Sequence, residues 1–176
     1  MNADLAKMYL MEQVEKIKTE DVKQFTKDVL MKAPEVFWVK PSSFNHHHPD
    51  ERLPGGGVLH TVRVSKIFEL VCINTNLPQR KIDVGKSASL IHDVMKYGED
   101  GKAAYILTND HAFLAGVWLR REFGTQYGEL CEEVASVVEK HMGKWVSRKY
   151  IPELKIEDIL IIADCLEVQD CIKVEV

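Results

Sequence analysis

Five stretches with apolar residues at helical spacing each carry a histidine or an aspartate on or beside the apolar stripe, and this narrows what the chain can fold into. A helix face that packs into a core loses free energy when it also buries an imidazole or a carboxylate, unless a partner compensates the group. The sharpest case is the run Ser89, Leu90, Ile91, His92, Asp93, Val94, where two such groups stand side by side. A chain built this way needs a core that is polar at one point, and a metal ion is one way to supply it.

The other four cases obey the same logic. A helix starting at Val58 has an apolar face of His60, Val64, Ile67 and Val71, in steps of four, three and four. The spacing predicts the next helix over Lys81 to Tyr97, where Gly85, Ala88, Ser89 and His92 share a face of small residues and Lys96 falls one turn beyond His92. Asn109 or Asp110 caps a helix whose stripe is His111, Leu114, Ala115, Trp118 and Leu119. A helix over about 127–142 carries Leu130, Val134, Val137, Val138 and His141 on one side, and the last, over 156–171, has Asp164 inside the most hydrophobic run of the chain. A carboxylate there needs a strong partner to stay ionised.

Before Val58, Leu5, Met8, Met11 and Val14 mark one amphipathic helix, and Val22, Phe25, Val29 and Leu30 mark a second, with Thr19 as its cap and Pro34 ending it. From Pro34 to Gly57 the periodicity fails and the chain reads as loop. Within it lie His46, His47 and His48, which form either an exposed polar cluster or a lid bringing donors over a bound anion. Strand-like alternation is not sustained anywhere, so the expected fold is all-α, a single helical bundle of roughly six or seven helices. The N-terminal helices and histidine-rich loop fill 1–57 and the helical core fills 58–171 of one domain spanning the 176 residues.

No apolar run is long enough to cross a bilayer, and the N-terminus mixes charges of both signs, so the expectation is a cytoplasmic protein without a membrane partner. A net charge of −4 argues against broad binding to extended nucleic acid. Cys72, Cys131, Cys165 and Cys171 lie in apolar helical surroundings without metal-type pairing and read as buried free thiols.

The order of the polar residues, His60, His92-Asp93, His111, His141 and Asp164, resembles the HD-domain superfamily of metal-dependent phosphohydrolases, from about Phe44 to Asp164. The segment Ala163, Asp164, Cys165, Leu166, Glu167 is similar to the family's final Ala-Asp segment. The histidine-rich loop with the glycines before His60 looks like the opening of HD domains in bacterial exoribonucleases. The resemblance implies that His60, His92, Asp93 and Asp164 hold one divalent ion, and that His111 and His141, with Asp93 bridging, hold a second. Imidazole and carboxylate donors without thiolates suit Fe, Mn, Ni or Zn.

The activity that the resemblance implies is hydrolysis of a phosphomonoester or phosphodiester, a nucleotide or short oligonucleotide, by a metal-activated hydroxide. Asp93 would then be catalytic as the bridge, and Lys96, at the family's HDxxK position, would stabilise a phosphate or the leaving oxygen. The alternative reading of Lys96 is a surface lysine at a helix end. Arg63, one turn after His60, together with His47 and His48, is a candidate substrate contact. So are Lys144 and Arg148, which flank Trp145 in a basic stretch that a solvated loop explains equally well. Two alternatives stay open: a di-iron oxygenase resembling myo-inositol oxygenase, and a non-catalytic binding module. Oligomeric state leaves no mark on the sequence.

Overall fold

The computed structural model describes residues 3–42, 47–73, 75–99, 110–143, 155–169, 172 and 174–175. Among them the chain forms α1 (Ala3–Glu15), α2 (Glu20–Lys32), α3 (Glu35–Val39), a 3-10 turn (Pro49–Arg52), α4 (Gly56–Cys72), α5 (Gln79–Ile91), α6 (His111–Tyr127), α7 (Glu129–Lys140) and α8 (Lys155–Glu167), with no strand. The all-α expectation holds. The helix count exceeds it because the stretch before Gly57, expected as loop, contains α3.

Helix α4 is the axis of the bundle, packed against α1, α3, α5 and α8. From Gly56 to Phe68 only Arg63 and Lys66 reach solvent, so the helix is buried nearly all round and not on one stripe alone. Helices α6 and α7 pair as a hairpin joined through Gly128, whose φ of 51° is left-handed and suits glycine. Helix α5 connects the two halves by packing on α2, α4, α7 and α8. One hydrophobic cluster draws on all the longer helices, with Leu10, Phe25, Phe68, Leu90, Leu119 and Leu160 fully buried.

Three local expectations are corrected. The buried side of α1 is Ala6, Leu10 and Val14, while Met8 is 49% exposed. Repeated three-residue steps drift about 60° each around a helix, so of Leu5, Met8, Met11 and Val14 only Val14 lies on the buried face. Thr19 stands at the N-cap of α2, but its hydroxyl donates to Asp83 Oδ2 at 2.6 Å, tying α2 to α5 instead of capping its own helix. Helix α5 stops at Ile91. Beyond it the bonds tighten to three-residue spacing, Val94 N–H to Ile91 O at 3.0 Å and Lys96 N–H to Asp93 O at 2.9 Å, so the His92-Asp93 pair sits in a turn at the helix end.

Of the cysteines, Cys72 and Cys131 are buried as expected, and burial pushes each thiol up to about 11. Cys165 is exposed, and Cys171 lies outside the described residues. No helix among the described residues is long and apolar enough to cross a membrane.

Candidate metal centre

The six side chains of the sequence pattern meet at one place. His60 comes from the N-terminal part of α4, His92 and Asp93 from the turn after α5, and His111 opens α6. His141 follows the last residue of α7, and Asp164 lies in the last turn of α8. Helix ends explain the convergence: each apolar stripe packs into the shared core and delivers its polar member where the stripes run out. His60, His92, His111, His141 and Asp93 are all buried, and the Asp164 side chain is 22% exposed at the rim.

Donor separations fall in the range that a shared cation needs. His60 Nε2 lies 3.1 Å from Asp164 Oδ1 and 3.9 Å from Asp93 Oδ2, and His92 Nε2 lies 3.9 Å from Oδ1 of both aspartates. On the other side of Asp93, Oδ1 is 3.0 Å from His111 Nε2 and 3.8 Å from His141 Nε2, and those two nitrogens are 3.0 Å apart. Ligands about 2.0–2.2 Å from one ion stand roughly 3–3.6 Å from each other, close to these spacings.

The tautomers are fixed by what the rings touch. His92 Nδ1 meets Ser89 O at 2.8 Å and His141 Nδ1 meets Val138 O at 2.7 Å. A carbonyl oxygen only accepts, so both Nδ1 atoms carry the proton, and in the neutral ring Nε2 is left with a lone pair facing the centre. His92 Nε2 is buried without a hydrogen-bond partner. An orphaned imidazole lone pair aimed at two carboxylates is what a cation would satisfy, and the donor set fits a divalent ion.

Electrostatics point the same way. Burial lowers the basicity of His92, and burial together with the His92 and His111 rings pushes His141 down to about 3, so both stay neutral. Burial alone would raise Asp93, yet the Lys96 ammonium and the surrounding histidines hold it well below the usual carboxylate range. Asp164, against the same cost of burial, is likewise lowered by His60. His60 differs: burial opposes its charge, but hydrogen bonds to Asp164 and Glu167 prevail and raise it well above an ordinary imidazole.

The remaining candidates are placed less uniformly. Lys96 Nζ donates to Asp93 Oδ2 at 2.6 Å, with its side chain only 18% exposed, so it belongs to the centre and not to the surface. Arg63 turns away: it holds Asp50 Oδ2 at 2.6 Å, forms a close pair with Glu51, and donates to Val174 O at 3.2 Å. His47 Nδ1 contacts Glu51 Oε2 at 3.1 Å, and His48 Nε2 lies 3.0 Å from Glu167 O. All three are engaged with partners inside the protein, and the His47 ring also packs edge-on against His60 with centroids 4.6 Å apart. Lys144 and Arg148, with Trp145, lie outside the described residues, as does His46.

Two residues that the sequence pattern did not single out adjoin the centre. Glu167 Oε2 accepts from His60 Nδ1 at 2.7 Å, and Glu51 Oε2 lies 3.8 Å from the same nitrogen; both acids are buried. Together with His47 and His60 they form a third compact group of metal-type donors, beside the groups His60, His92, Asp164 and His92, Asp93, His141. A signal for Glu167 existed in its spacing, since three residues after Asp164 is the same face of α8. Glu51 had none, because it lies in a stretch without periodicity.

No curated protein and no solved structure matches the chain. The family model described as HD domain matches residues 58–171, well over half the length and the span that contains all six converging side chains. With buried histidines and aspartates gathered in the order that this family uses, the chain belongs to the HD domain family, the superfamily of metal-dependent phosphohydrolases.

Proposed function

We propose that this chain hydrolyses a phosphoester, a nucleotide or short oligonucleotide, at a centre of two divalent ions. His60, His92, Asp93 and Asp164 would hold one ion, and His111 and His141 the other, with Asp93 between them; Fe, Mn, Ni or Zn suit these donors. Bound there, such ions polarise a phosphoryl oxygen and lower the pKa of water into the neutral range.

The observation that carries the reading is the placement of Asp93. Its Oδ1 faces His111 at 3.0 Å while its Oδ2 faces Lys96 at 2.6 Å and His60 at 3.9 Å, so one carboxylate spans both groups of imidazoles. Lys96 adds a buried cation to the same place. Burial works against its charge, but Asp93 more than offsets this and raises its pKa, which keeps the ammonium protonated and able to hold a phosphoryl oxygen. Lys144 and Arg148 are proposed as further substrate contacts.

Elemental analysis of the purified protein, combined with a phosphoester panel run with and without oxygen, tests this. Two metals per chain and turnover that does not depend on oxygen are expected. Turnover only in the presence of oxygen would instead favour the oxygenase reading. A metal-replete protein inert on both kinds of substrate would favour a binding module.

A further inference from the structure

Behind His60, on its Nδ1 side, lies a buried polar group of Glu167, Glu51 and His47. His60 Nδ1 donates to Glu167 Oε2 at 2.7 Å. His47 Nδ1 reaches Glu51 Oε2 at 3.1 Å and Glu167 Oε2 at 3.6 Å, and its ring packs edge-on against His60 with centroids 4.6 Å apart. Arg63 closes the group by pairing with Glu51 and Asp50. Glu51 and Glu167 are 0% and 1% exposed, and burying two carboxylates is costly without a use that needs their charge.

Among the converging histidines, His60, His92 and His141 each have an Nδ1 partner, and they are not oriented alike. His92 and His141 are set by carbonyls within their own turns, which any sequence retains. His60 alone of these is set by a side chain from another element, the last residue of α8. A carboxylate on Nδ1 fixes the ring, leaves Nε2 as the donor, and makes that donor more basic than a carbonyl would. Half of the arrangement comes from residues 47–52, which precede the span 58–171 matched by the family. A glycine builds this contact: a Cβ on Gly56 would overlap the Glu51 backbone carbonyl, so the 3-10 turn can lie against the start of α4 only with glycine there.

We propose that Glu167, held in place by His47, Glu51 and Arg63, is a positioning residue that fixes the orientation of His60 and strengthens it as a metal ligand. The inference rests on the reading of the six converging side chains as a metal centre. It assigns His47 and Arg63 to the support of the centre and not to the substrate.

The test uses the full chain. Affinity for cobalt(II) is measured by competition with a chromophoric chelator, and imidazole nitrogen NMR of the metal-free protein reads whether His60 Nδ1 holds a protected proton. Glu167→Ala is expected to weaken cobalt binding on the order of 10–100-fold and to remove the protected Nδ1 proton of His60, with helical circular dichroism retained. Glu167→Gln, which can still accept a hydrogen bond but carries no charge, should keep the Nδ1 proton and lose less affinity; being isosteric, it also serves if the alanine variant does not fold. Wild-type affinity in both variants, or an unchanged His60 signal in Glu167→Ala, overturns the inference and leaves the metal-centre reading standing. A wild-type protein that binds no divalent metal overturns both.

Discussion

Lys96 Nζ and Asp93 Oδ2 are 2.6 Å apart in the turn after α5, three residues apart in sequence and both largely buried. The tightened turn creates this pairing: with α5 ended at Ile91, the Asp93 carbonyl accepts from the Lys96 amide and the two side chains emerge on the same side. Lys96 also lies 3.5 Å from Ser42 Oγ, so its ammonium is held between the centre and the loop before the 3-10 turn.

Replacing this cation separates its role toward substrate from its role toward Asp93. Lys96→Met should lower kcat on the order of 100-fold, as loss of one charged donor to a developing oxyanion does, while bound metal stays near the wild-type amount. Steady-state kinetics and elemental analysis on the same preparation check this. A parallel loss of both would mean that Lys96 serves only to place the carboxylate.

Asp93 is expected to be indispensable for metal. Asp93→Ala, and the better-matched Asp93→Asn, should bind almost none and show no turnover, with helical content largely intact. A ligand that binds only the folded state stabilises it by about 4 kcal/mol when its free concentration is 1,000 times Kd. Chelation should therefore lower the Tm of the wild type and leave that of Asp93→Asn unchanged, a comparison made by thermal denaturation with and without chelator.

How much of this was legible in the sequence depends on what each residue's neighbours are. His60, His92, His111, His141 and Asp164 could be found because a polar residue at the end of an apolar stripe stands out against helical periodicity. Met8 misled for a related reason: apolar residues at repeated three-residue steps drift around the helix, so Met8 cannot share the face of Val14, six residues on. The end of α5 was hidden because residues 92–97 are compatible with a helix and only tertiary packing tightens them into turns. Glu51 was invisible, since its carboxylate is buried by tertiary contacts with Arg63, His47 and His60, and not by any periodicity in residues 49–52 themselves.

The close approach of the Glu51 backbone to Gly56 gives a prediction of its own. Gly56→Ala places a Cβ against the Glu51 carbonyl, a backbone group that cannot step aside as a side chain would. Crowding of this kind costs about 1–3 kcal/mol. Urea denaturation should show that loss, and metal affinity should fall with it because the 3-10 turn carrying His47 and Glu51 is pushed off α4. Unaltered stability would mean that the turn and the helix are less tightly joined than the geometry indicates.

Arg63 separates two readings of the same cation. As a substrate contact it would, when removed, raise KM and leave the fold unaffected. The structure instead gives it Asp50 and the fully buried Glu51 as partners, with its own side chain 12% exposed. Removing one partner of a buried pair strands the other charge and costs roughly 3–5 kcal/mol, whereas an exposed pair would cost little. Arg63→Ala should thus lower the urea midpoint sharply, and Arg63→Ala combined with Glu51→Gln should recover part of the loss, because the stranded charge is gone. If the single variant kept wild-type stability and only KM rose, Arg63 would be a substrate contact after all and the ion pair would be incidental.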